Sequence, residues 1–141
     1  MGFSISATTA IIGVAFIMVL EVSMGTIIPV LTEVDESFND MRQRAIDQLQ
    51  TNVVINNITV QANASLHDLE IKIKNSGSTV IDKSFITLLI NGSLSSFTCS
   101  SDYLFPESEY SLFVYGVSGS GSIKVKIITK NGISDYDTYN V

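Results

Sequence analysis

The chain has 141 residues, 45% hydrophobic and 16% charged, which is room for about one globular domain plus an extension and excludes two full cores. Eight Lys and Arg stand against 14 Asp and Glu, a formal net charge of −6, which excludes the basic face that a nucleic-acid partner needs. Cys99 is the single cysteine, so no intrachain disulfide framework exists; burial as a small hydrophobe and a bridge between chains are both open.

The apolar residues concentrate near the N-terminus. From Ile5 to Leu31 the run ISATTAIIGVAFIMVLEVSMGTIIPVL carries one charge, Glu21. A bilayer core takes about 20 mostly apolar residues as helix, so a transmembrane helix is predicted over 1–31. Pro29 and the acids Glu33, Asp35 and Glu36 mark its far end. A cleaved signal peptide would open on a basic region, and no Lys or Arg precedes this run. Gly2 stands where a pilin-type leader would be cut, but only Met1 precedes it, so the helix is expected to be retained. No basic loop flanks the helix closely, so the positive-inside rule has little to act on, and an N-terminus inside with the long C-terminal part outside is the simpler expectation.

Glu21 admits two readings, because a carboxylate at mid-bilayer costs about 2.5–3.5 kcal/mol on insertion scales. In one, the span ends at Leu20, since Ile5–Leu20 measures about 24 Å as helix, which leaves Glu21 at the interface. Alternatively Glu21 is shielded within a helix bundle. Ser6, Ala10 and Gly13 form a small-residue face suited to close helix contact.

Over 32–52 the pattern becomes amphipathic. Val34, Phe38, Met41, Ala45 and Leu49 recur at spacings of one helical stripe. A helical stalk is predicted, and its stripe either meets another helix or packs on its own domain.

From Val53 the period falls to two. VVINNITVQ, LEIKIKN, SFITLLIN, SLSSFTC, YSLFVYG, SIKVKIITK and SDYDTYNV all read as strands. Asn91-Gly92 and Asn131-Gly132 are hairpin cues. The fold class is therefore an all-β, immunoglobulin-like β-sandwich over 53–141, preceded by a long N-terminal transmembrane and stalk helix. GVSGSGS at 116–122 lacks the Lys-Ser/Thr of a phosphate-binding loop.

Nothing assembles as catalytic machinery, and no enzyme, cofactor or metal is expected. His67 is the only histidine and is placed in a turn. Asp135 and Asp137 alternate on one strand, where carboxylates are usually solvated and not calcium ligands. Asn57-Ile58-Thr59, Asn63-Ala64-Ser65 and Asn91-Gly92-Ser93 are N-glycosylation acceptors by pattern, all within the domain placed outside.

MGFSISATTAII, INNITVQ and IKIKNSGSTVIDKSFITLLING together resemble the archaeal flagellar protein F family, an accessory subunit of the archaellum. FPESEY and IKVKIITKNGISDY resemble its later turn and closing hairpin, so the likeness runs along most of the chain. It implies an immunoglobulin-like domain in the pseudo-periplasm, binding to the S-layer protein, and partnership with a sister subunit, flagellar protein G. Such a complex is a static ring around a rotating filament, held at membrane and wall. Self-association into a homo-oligomer is also expected. Glu21 departs from a plain anchor, and Ser108 stands where the turn is expected to have Gly.

Two other functions fit the same architecture. A filament subunit of archaellin or pilin type would pack its N-terminal helix in a fibre core. An extracellular binding module would use Tyr103, Phe105, Tyr110, Phe113 and Tyr115, although alternation also suits them to packing.

Overall fold

The computed structural model describes residues 2–63 and 66–141. They form two compact units, one ending at Gln43 and one from Arg44 to Val141. The first is helical: α1 spans Gly2–Val22, a π-helical turn spans Ser23–Ile27, and α2 spans Ile28–Gln50. Between Ser4 and Gln50 lies an apolar window long enough to cross a membrane. Its Thr8, Thr9, Ser23 and Thr26 hydroxyls each donate to the carbonyl four residues back, at 2.6–2.9 Å. Polar groups are thereby satisfied within the helix, as a lipid solvent requires.

Pro29 lies inside the helix, which runs on into the predicted stalk. A proline ring collides with the carbonyl four residues earlier, here Gly25, which lies inside the π-helical turn. Ile28 N–H bonds to Ser23 O, five residues back. This wider pairing is the local adjustment that lets helix continue past proline. Glu21 lies just before the turn, and Glu21, Ser6, Ala10 and Gly13 are all exposed. Val34, Phe38, Met41, Ala45 and Leu49 are exposed too.

The second unit is a sandwich of antiparallel strands: β1 Val53–Asn63, β2 Leu66–Asn75, β3 Ile81–Asp82, β4 Thr87–Ile90, β5 Ser93–Ser95, β6 Thr98–Cys99, β7 Tyr103–Leu104, β8 Glu109–Val117, β9 Ser122–Ile128 and β10 Ser134–Asn140. One sheet runs β1-β2-β8-β6 and the other β10-β9-β4-β5, with β3-β7 as a small third ladder. Alternation places Leu69, Ile71, Ile73, Leu112 and Val114 of the first sheet against Leu88, Ile90, Ile123, Val125 and Ile127 of the second, in one core. The Asp135 carboxylate accepts from Ile55 N–H at 2.8 Å, joining β10 to β1 beside the bulge that follows Ile55.

Several local readings change. SLSSFTC is two strands in different sheets: β5 pairs with β4, and β6 with β8. The chain crosses between sheets at Ser96 and Phe97, and the Phe97 ring packs against the core. SFITLLIN opens with a 3-10 turn over Lys83–Phe85, because the Asp82 side chain accepts from Ser84 N–H. His67 lies in β2, not in a turn, since β1–β2 pairing runs out to Asn63 and Leu66. Asn91 and Gly92 both have positive φ, 48° and 83°, as a type I′ hairpin turn requires.

Ile71 is fully buried at the centre of the first sheet. Ile71→Ala is expected to cost about 2–5 kcal/mol, whereas Lys72→Ala, one residue on and exposed, should change stability by less than about 0.5 kcal/mol. Denaturant unfolding of the detergent-solubilised chain, followed by near-UV circular dichroism, checks both.

Candidate functional site

The buried polar residues Thr51, Asn75 and Thr129 point to the place where α2 ends. A helix leaves its last carbonyls without intrahelical partners, and burying them unpaired is costly. Here the sandwich supplies the donors. Asp47 O accepts from Thr51 N–H at 3.0 Å and the Thr51 hydroxyl at 2.7 Å. Gln50 O accepts from Ser78 N–H at 2.8 Å, and Asn52 O from Ser76 and Gly77 N–H at 3.1 and 3.2 Å.

Two loops make this seat. Asn131, in the β9–β10 hairpin, donates its amide to the Thr51 hydroxyl at 2.8 Å, and its carbonyl accepts from Gln48 Nε2 at 3.2 Å. The Thr51 and Thr79 hydroxyls share a bond of 2.9 Å. The second loop is Asn75–Thr79, the NSGST of the sequence. Gly77 lies so close to the chain leaving the helix that a Cβ there would sit 2.4 Å from Gln50 O and 2.5 Å from Asn52 N. Only glycine fits against that backbone.

Asn75 organises the loop. Its side chain is fully buried and donates to Thr79 O at 2.8 Å and Leu104 O at 2.9 Å, while its Oδ1 accepts from Gly77 N–H at 3.1 Å. Its backbone carbonyl accepts from Glu107 N–H at 2.7 Å, linking the seat to the Pro106 turn. In that turn Glu107, not Ser108, carries the positive φ of 58°; the conformation glycine favours falls one residue before the position expected to need it. A 2.7 Å ion pair ties Glu107 to Lys74. That hydrogen bond, then the charge of the Glu107 carboxylate, holds the Lys74 ammonium above the usual lysine range.

The other candidates lie apart from the seat. Asn57 is exposed beside the β1 bulge, its amide 3.4 Å from the Thr59 hydroxyl. Asn91 is exposed at a hairpin tip, with Oδ1 accepting from Lys124 N–H at 2.9 Å. The Asn63 side chain and its Ala64-Ser65 lie outside the described residues. Cys99 is half-buried in β6 against the core. Among the described residues no three His, Cys, Asp or Glu side chains converge as metal ligands would. Sequence periodicity is silent on Thr51, Asn75, Thr79 and Asn131. The cues were the NSGST motif and Asn131-Gly132, each legible only as a turn.

No protein-family model matches the sequence, and neither does any curated protein. Among solved structures, the archaellum periplasmic stator protein FlaG from Sulfolobus acidocaldarius is similar at a TM-score of 0.51 and 21% identity, over 63% of this chain and 99% of that one. The periplasmic stator complex of FlaF and FlaG from the same organism aligns at 0.48 and 21% identity, over 62% of this chain and 87% of the matched one. The first likeness shows a shared fold: the sandwich of this chain has the architecture of FlaG.

Asn75→Ala removes the donor to the Thr79 and Leu104 carbonyls and leaves Gly77 N–H with Asn52 O alone, at about 1–3 kcal/mol for each carbonyl left buried and unpaired. Gly77→Ala forces the seat apart. Hydrogen exchange read by mass spectrometry should show protection lost over 47–52 in both variants, while β9 keeps its protection in Gly77→Ala.

Proposed function

We propose that the chain is a non-enzymatic, membrane-anchored subunit of the archaellum stator, linking the motor to the S-layer. The observation that carries this reading is the seat at the end of α2. The last turn of α2, within the second unit, sits in a hydrogen-bonded socket built by two sandwich loops. A subunit that resists torque gains from a stalk end fixed to its own domain in this way.

Three further points support it. The sequence resembles archaeal flagellar protein F from MGFSIS to the closing hairpin. The sandwich shares its fold with a protein described as a periplasmic stator protein. The N-glycosylation patterns at Asn57 and Asn91 lie on exposed parts of the domain placed outside the cell. In this reading the chain crosses the membrane once, as residues 1–31, raises a stalk over 32–52, and holds 53–141 in the pseudo-periplasm. Its partners are the lipid membrane, the S-layer protein, a sister subunit of flagellar protein G type and further copies of itself. Ser6, Ala10, Gly13 and Glu21 serve helix assembly within the bilayer; Val34, Phe38, Met41 and Leu49 serve it above.

Cells lacking the chain should still build filaments but lose swimming, and the full chain should co-sediment with isolated S-layer. Recovery of the chain in sheared filaments, with a mature N-terminus at Phe3, would instead make it a filament subunit. Glu21→Gln is expected to reduce crosslinked oligomers in membranes; an unchanged ladder removes Glu21 from assembly.

A further inference from the structure

The two outer faces of the sandwich differ in a way the core does not require. On the β1-β2-β8-β6 sheet, acids and lysines share the outer face. The Ser111 hydroxyl donates to Glu70 at 2.8 Å, Asn56 to Glu109 at 2.6 Å, and Lys74 pairs with Glu107. With Lys72 between Glu70 and Lys74, the sign of that face is mixed.

The β10-β9-β4-β5 sheet presents something else. Register places Leu94, Leu89, Lys126 and Tyr136 in one row across all its strands. Leu94 on one edge is 77% exposed and Tyr136 on the other 62%. Strands lie about 4.8 Å apart, so the row spans about 14 Å. Lys124 stands on the same face, its ammonium 4.8 Å from the Tyr136 ring centroid. Neither Lys124 nor Lys126 forms an ion pair among the described residues. The outward residues of β9, β4 and β5, and Ser134, Tyr136, Thr138 and Asn140 of β10, include no carboxylate. In a chain of net charge −6, this is a segregated cationic face with an apolar residue at either edge.

We infer that the outer face of the β10-β9-β4-β5 sheet is the surface by which the sandwich docks an acidic protein surface, with Lys124 and Lys126 meeting carboxylates and Leu94 and Tyr136 flanking them. Charge complementarity names the occupant: unpaired lysines between apolar anchors match carboxylates set in an apolar patch. A lone phosphate would meet the lysine ammoniums but leave Leu94 and Tyr136 uncovered. The inference rests on the proposed S-layer attachment only for the identity of the partner.

The test uses the full chain in nanodiscs of zwitterionic lipid, with isolated S-layer protein as probe. Lys124→Glu/Lys126→Glu and Leu94→Ser/Tyr136→Ser should each weaken binding by about tenfold or more, with the salt dependence lost in the first pair. Lys72→Glu, exposed on the opposite face, should stay within about twofold. Equal losses on both faces overturn the inference, since they report only net charge. If the unaltered chain does not bind S-layer protein, the attachment reading fails, and polyglutamate becomes the probe. Salt-sensitive binding of polyglutamate that is lost only in Lys124→Glu/Lys126→Glu sustains the docking face, and no binding overturns it. Tighter binding to vesicles of anionic lipid than to either protein probe makes the occupant a membrane and also overturns it.

Discussion

A helix that ends against a folded domain cannot leave its last carbonyls to water, and the sandwich is arranged around that requirement. Thr51, Ser78, Gly77, Ser76 and Asn131 all donate to the end of α2 or to the residues leaving it. The buried Asn75 amide then ties the donor loop to β7, while its backbone carbonyl holds the Pro106 turn. Each donor is itself satisfied, so the polar cluster adds order without an orphaned group. The helix end belongs to the sandwich through these bonds, and the compact unit begins at Arg44 and not at the first strand.

The apolar N-terminal helix meets a related need by different means. Its Thr8, Thr9, Ser23 and Thr26 hydroxyls turn back onto their own helix, the arrangement that a lipid solvent would require. Pro29 would break an ordinary α-helical ladder, and the π-helical turn over Ser23–Ile27 absorbs it. Helical pairing thus resumes at Ile28 and reaches Gln50.

The sandwich carries one polar problem on each face and treats them unequally. The β1-β2-β8-β6 sheet mixes acids and lysines on its outer face, several of them bonded there, as a solvated face does at little net cost. The β10-β9-β4-β5 sheet leaves lysines open beside Leu94 and Tyr136. Such a surface is serviceable in solution only because the lysines keep it hydrated, and it becomes favourable when carboxylates replace that water.

By itself the sequence determined the period changes: an apolar helix, an amphipathic continuation and a run of alternating strands, because these patterns depend on each residue's own hydrophobicity and its near neighbours. It also located the Asn91-Gly92 and Asn131-Gly132 turns, where backbone conformation restricts residue choice locally. Only the three-dimensional structure decided that SLSSFTC divides between sheets, that a π-helical turn precedes Pro29, that Glu107 takes the left-handed conformation, and that NSGST and Asn131 hold the helix end. The residues meeting at that seat come from Asp47, Asn75–Thr79 and Asn131, far apart along the chain. A hydrogen bond between distant loops leaves no period in either, so its partners exist only once the core has brought them together.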